Sequence, residues 1–196
     1  TENLERSGLM SGSDQAYVVG QIQPALEEIT ISEFFARTVS RYPDREACIF
    51  CQSGERWTWS QLSQKVDQLA AGLLALGVYK GDRVGIWSPN KPEWVLAQFA
   101  TARIGAILVN INPAYRRAEL KYALVKVGVK VLITAGSFKT SNYLEMLNDL
   151  IPELATCRPE RLSSPEFPLL RSIIQIGVAS HSGMFCFQEI VEKGTT

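Results

Sequence analysis

Histidine is almost missing from this chain: His181 is the only one in 196 residues. A nucleophile–histidine relay has one possible base, and a metal centre built on several imidazoles is excluded. Ser180, Ser182 and Gly183 surround His181, a loop-like setting that favours a solvated side chain over a catalytic one. The Gly-x-Ser-x-Gly elbow of hydrolases is absent. Excess charge is missing too, since twenty Lys and Arg balance twenty Asp and Glu. That balance leaves no electrostatic footprint for nucleic acid or an anionic membrane. Apolar runs are short, as at Ile107-Leu108-Val109, and far below the ~20 residues of a transmembrane segment. Cysteines are few: Cys48, Cys51, Cys157 and Cys186. Cys48 and Cys51 have the C-x-x-C spacing of redox and zinc motifs. They sit in a strand-like run, however, where residues three apart point to opposite faces. No second pair follows, so they read as reduced, buried thiols, and an intracellular compartment is expected.

What is present has the order of an α/β domain. The chain opens on Thr1 rather than Met, and residues 1–28 carry neither an apolar signal core nor an Arg-rich amphipathic stretch. They read as an extended N-terminal arm. Thr30 and Glu33 have capping-box spacing and open a helix that ends before Pro43-Asp44. Residues 47–51 and 56–59 form a hairpin around Gln52-Ser53-Gly54-Glu55. Ser60 is placed to cap a long helix carrying Leu62, Val66, Leu69, Leu73 and Leu76 at helical spacing, with Gly77 as its stop. Strands at 83–87, 106–111 and 130–134 alternate with helices at 92–103 and 117–127. Nearly continuous apolar strands alternating with helices imply a mostly parallel sheet covered on both faces. A helix at 142–151, a proline-bearing surface loop at 155–168, a strand at 172–176 and a helix at 187–193 complete the pattern.

A parallel sheet raises the question of a nucleotide. Neither G-x-G-x-x-G nor G-x-x-x-x-G-K-[ST] occurs. The turn after strand 83–87 is Ser88-Pro89-Asn90-Lys91-Pro92, whose prolines lack the N–H groups a phosphate cradle needs. An oxidoreductase of the ordinary dinucleotide-binding type is therefore not expected. Asn112-Pro113-Ala114-Tyr115 lies where ligands gather in open α/β sheets, beyond a strand's carboxyl end. Asn-Pro is equally a common turn initiator. Arg116 and Arg117 follow it, either as an anion contact or as a solvated helix start.

Several segments together resemble the adenylate-forming (AMP-binding) enzymes. Trp57-Thr58-Trp59-Ser60-Gln61-Leu62 is similar to their first core motif, with Trp59 in place of the usual aromatic and Gln61 in place of the acid. Gly77-Val78-Tyr79-Lys80-Gly81-Asp82-Arg83-Val84 is similar to Gly-Val-x-x-Gly-Asp-Arg-Val. Pro89-Asn90-Lys91-Pro92-Glu93-Trp94-Val95, the segment 103–113 and Glu119-Leu120-Lys121-Tyr122-Ala123-Leu124 continue the series. Asn112-Pro113-Ala114-Tyr115, with Phe138-Lys139-Thr140-Ser141-Asn142-Tyr143 downstream, resembles the medium-chain fatty acyl-CoA ligase branch. The likeness covers roughly residues 30–190.

That resemblance implies an acid–thiol ligase that activates a fatty acid with ATP and Mg, releases pyrophosphate, and passes the acyl group to coenzyme A. Residues 29–196 are then an incomplete N-terminal subdomain of the AMP-binding domain. The family's Thr-Ser-Gly-Thr-Thr-Gly-x-Pro-Lys phosphate loop and C-terminal lysine are absent from the sequence. Gly194-Thr195-Thr196 spells part of that loop, but Glu192-Lys193 precedes it, and Gly194 reads as a helix stop. The chain alone is expected to be inactive, with no catalytic residue and no metal ligand of its own. Arg116 and Arg117 are the candidate contacts to the coenzyme A nucleotide. The compartment implied is the mitochondrial matrix in a eukaryote and the cytoplasm in a bacterium. An aryl-CoA ligase, a peptide-synthetase adenylation domain and a non-enzymatic binding module remain as alternatives. The family's sheets are completed by later strands, so Trp57, Trp87 and Phe99 are expected to be left uncovered and the isolated chain to be molten.

Overall fold

Thr30 and Glu33 close the expected capping box: the Thr30 hydroxyl accepts from the Glu33 N–H at 3.1 Å and Glu33 accepts from the Thr30 N–H at 2.8 Å. This opens helix α1 (Ile31–Arg41) in the computed structural model, which describes residues 20, 23, 25–177 and 181–194. The N-terminal arm falls largely outside the described residues, and those described before Ile31 carry no helix or strand.

Strands β1 (Glu46–Phe50) and β2 (Glu55–Thr58) pair antiparallel as the predicted hairpin. Helix α2 (Trp59–Ala75) then starts two residues earlier than the sequence suggests. Its cap is Thr58, not Ser60: the Thr58 hydroxyl takes the Gln61 N–H at 3.2 Å, and the Gln61 side chain returns to the Thr58 N–H at 2.9 Å. Gln61, where the family motif has an acid, keeps the acceptor oxygen that this reciprocal cap requires.

Five parallel strands follow: β3 (Arg83–Trp87), β4 (Ile107–Ile111), β5 (Val131–Thr134), β8 (Ser172–Gln175) and β9 (Phe185–Cys186), in the spatial order β4-β3-β5-β8-β9. Between them run α3 (Pro92–Ile104), α4 (Arg117–Val127), a small hairpin β6 (Ser137–Phe138) and β7 (Ser141–Asn142), and α5 (Tyr143–Leu150). Helix α6 (Phe187–Lys193) ends at Gly194.

The side-chain alternation of β3 divides the core. Val84 and Ile86 join Leu62, Leu69, Ala97 and Ile190 under α1, α2, α3 and α6. Trp87 faces the other way, into Leu120, Leu147, Leu154 and Phe167. Trp57 and Trp87 are buried, and half-buried Phe99 stacks on Phe35 at 4.4 Å between ring centroids. The expectation that these three stand uncovered is therefore wrong: Phe50 and Lys65 pack on Trp57, the second core encloses Trp87, and Phe35 of α1 covers one face of Phe99. The proline-bearing segment 155–168 is likewise more than a surface loop. It contains a 3-10 turn (Pro159–Arg161), and Leu162 and Phe167 reach the second core. Proline forbids a regular helix there but says nothing of burial.

At the amino end of β3, the Gly-Asp-Arg-Val segment is a joint. Asp82 accepts from the Tyr79 N–H and from Lys130 Nζ, both at 2.8 Å, and Lys130 also donates to the Gly77 carbonyl at 2.7 Å. Arg83 donates to the Val127 carbonyl at 3.0 Å. Burial would raise the Asp82 carboxyl, but Lys130, the Tyr79 N–H and Arg83 outweigh it and hold the group below the usual range.

Candidate functional site

Parallel strands put their carboxyl ends on one edge, where the connecting turns meet solvent. On that edge lie Ser88-Pro89-Asn90 after β3, Asn112 to Arg116 after β4, and the β6–β7 hairpin after β5. The Asn112 side chain accepts from the Ala114 N–H at 2.9 Å, and its carbonyl accepts from the Tyr115 N–H at 3.0 Å. Asn-Pro thus makes the tight turn that its composition suggests.

The structure separates the two candidate arginines. Arg116 is the N-cap of α4, and its N–H is held by Glu119 at 3.1 Å. Among the described residues no acidic side chain pairs with its guanidinium. Arg117, one residue on, forms an ion pair with Asp149 of α5. Only Arg116 is left with its charge uncommitted.

Two aromatic residues that the motifs do not single out as site residues lie behind this edge. Trp87 and Tyr143 stack with centroids 3.6 Å apart and planes 8° from parallel. Both are fully buried. The Tyr143 hydroxyl donates to the Pro113 carbonyl, which ties the start of α5 to the turn after β4. Burial pushes the Tyr143 phenol up to about 12, so the hydroxyl is a neutral donor at physiological pH. The available signal was positional: Trp87 ends a strand, and Tyr143 follows Asn142, whose side chain caps α5 by accepting from the Glu145 N–H at 3.2 Å.

A cleft of about 550 Å³ opens beside the same edge, between the turn after β1 and the start of α3. Phe50, Trp94 and Val95 supply apolar wall, while Ser53, Asn90 and Lys91 add polar groups. Cys51 lies in this turn, beyond the end of β1, and is exposed; Cys48, on the strand, is half-buried. Strand alternation therefore does not apply to the pair, and neither is the buried thiol its sequence suggests. Burial also raises the Cys48 thiol. His181 is exposed. Among the described residues no three His, Cys, Asp or Glu side chains converge on a metal-sized site, and no helix is long and apolar enough to cross a membrane. The edge carries Arg116 without an acidic partner among the described residues, and the separate cleft beside it bears Asn90 and Lys91.

The AMP-binding enzyme family matches residues 35–172. The chain is 41% identical over 181 residues to the medium-chain acyl-CoA ligase ACSF2, mitochondrial, of Danio rerio, covering 92% of this chain and 30% of that protein. Its human counterpart is 40% identical over 181 residues, covering 92% and 29%. The chain therefore spans about 30% of the length of the curated relatives it matches. Among solved structures, the anthranilate CoA ligase AuaEII superposes with a TM-score of 0.69 at 22% identity, over 84% of this chain and 28% of that one. A Mycobacterium tuberculosis fatty acyl CoA synthetase gives 0.62 at 21%, over 85% and 28%. At those identities the two structures speak to the fold alone.

Proposed function

The chain belongs to the AMP-binding enzyme family, and on that premise we propose that it is the N-terminal part of an ATP-dependent medium-chain fatty acyl-CoA ligase. The observation that carries the reading is its likeness, along nearly its whole length, to ligases named for that activity. In the full-length protein a fatty carboxylate attacks the α-phosphorus of ATP and pyrophosphate leaves. The thiol of coenzyme A then displaces AMP from the acyl carbon. Residues 29–196 contribute part of the large domain to this enzyme. Mg would accompany ATP, and the described residues provide no acidic cluster to hold it. In a eukaryote the mitochondrial matrix is the proposed compartment, since those relatives are mitochondrial ligases; in a bacterium it is the cytoplasm.

Within this chain, Arg116 and Arg117 are the proposed contacts to the nucleotide end of coenzyme A. Arg116 takes the direct role, because a planar guanidinium suits phosphate oxygens and this one is not already paired. Arg117, held by Asp149, is the weaker contact. The test is octanoate-dependent pyrophosphate exchange and octanoyl-CoA formation. The full-length protein should show both. The 196-residue chain, without the phosphate loop, should show no exchange above a no-enzyme control. A full-length protein that activates benzoate or an amino acid in place of octanoate would move the assignment to an aryl ligase or an adenylation domain.

A further inference from the structure

Residues 114–119 are all exposed, so no packing of their side chains holds the β4–α4 connection in place. The turn's own hydrogen bonds and two contacts from one helix do. The Tyr143 hydroxyl binds the carbonyl of Pro113, three residues before Arg116. The Asp149 carboxylate binds the guanidinium of Arg117, one residue after it. Both donors of constraint lie on α5, at its first residue and near its last turn. Tyr143 is itself immobile. Its ring lies flat on Trp87 at the end of β3, its N–H donates to the Gly136 carbonyl at 3.0 Å, and it is fully buried. The anchor is therefore tied to the sheet, while the residue it brackets faces solvent.

We infer that Tyr143 and Asp149 are positioning residues: through Pro113 and Arg117 they fix where Arg116 presents its guanidinium to an anionic ligand. This rests on the reading of Arg116 given above. The physical ground is entropic. A long, exposed arginine gains little from an ion pair because ordering it costs side-chain and loop freedom. Fixing the backbone on both sides removes part of that cost before the ligand arrives. The Tyr143 contact is the stronger of the two, because it is part-buried where the Arg117 pair is exposed, and is made to a carbonyl that has no other donor in the turn.

The experiment uses the full-length protein and three variants: Arg116→Gln, Tyr143→Phe and Asp149→Asn. Calorimetry gives the Kd of coenzyme A, and steady-state kinetics gives KM for coenzyme A and for ATP. Tyr143→Phe keeps the ring on Trp87 and deletes only the hydroxyl. Loss of one hydrogen bond should raise the ratio of KM for coenzyme A to KM for ATP by about 3- to 10-fold, with the same rise in Kd. Arg116→Gln should raise both quantities at least as much. If Tyr143→Phe loses its cooperative melt, the exposed Asp149→Asn decides in its place: a smaller rise is expected, and a fall, as the released Arg117 binds the ligand itself, overturns the inference. If Arg116→Gln weakens coenzyme A binding and the positioning variant does not, the inference is overturned while the site stands. An unchanged Arg116→Gln overturns the site and the inference together. A uniform fall in kcat with both KM values raised alike assigns these residues a structural role only and also overturns it.

Discussion

At the scale of single residues, sequence and structure part most clearly over charge pairing. Arg116 and Arg117 are equivalent as read from the chain, and only the approach of Asp149 from a helix some thirty residues away distinguishes them. Tyr143 is marked in the sequence only by its place after Asn142, since its partner Pro113 and its stacking partner Trp87 are remote in sequence. Its ionisation gives a direct test. An unfolded tyrosine titrates near ~10, whereas burial holds Tyr143 at about 12. The neutral form is thus favoured in the folded state. The stabilisation is fully present below the unfolded value and is lost as pH rises through the folded one. Denaturant melts at pH 9 and at pH 11 should show a fall in stability across that interval, and Tyr143→Phe should reduce the fall. An equal fall in the variant would place the alkaline sensitivity elsewhere.

At the scale of elements, the parallel strands, their connecting helices and the first hairpin were legible because each has its own period and its own punctuation. Gly105 and Gly128 close α3 and α4 in the left-handed conformation, at φ of 70° and 69°. The errors arose where local rules left a choice open, as with Thr58 and Ser60, or where burial depends on what lies opposite, as with Leu162 and Phe167. Gly194 illustrates the difference. Helix α6 does stop there, but φ is −83°, so the left-handed conformation is not the reason for glycine. A Cβ at Gly194 would strike the backbone of Gln68, and one at Gly72 would strike the backbone of Ile190. The two glycines let α2 and α6 approach backbone to backbone. Alanine is the better helix former by about 1 kcal/mol, yet Gly72→Ala should destabilise the protein by about 1–3 kcal/mol, because the two helices must separate. Thermal melts of the full-length protein would check this, and a variant as stable as wild type would show that α6 yields without cost.

At the scale of the whole molecule, a covered interior meets open strand edges, β4 among them. Both aromatic clusters find their packing within the chain, so the expected loss of burial at Trp57 and Trp87 does not arise. At the β9 end of the sheet the strand is two buried residues leading straight into α6. At the other end β4 is five residues long and pairs only with β3 among the described residues. Ile107 is 52% exposed there, and Asn110 is exposed beside half-buried Leu108 and Val109. An unpaired, partly apolar edge is a template for strand addition. A chain that buries its core but leaves this edge open should unfold cooperatively and yet self-associate, rather than behave as the molten species inferred from the resemblance alone. Light scattering of the 196-residue chain should rise with concentration while its thermal transition stays sharp. Ile107→Lys, which places a charge on the edge without touching either core, should lower the scattering and leave the transition temperature within a few degrees. Broad melting with strong binding of a hydrophobic dye would restore the molten reading. Association that Ile107→Lys does not reduce would move the sticky surface away from β4, with the apolar cleft between the first hairpin and α3 as the next surface to test.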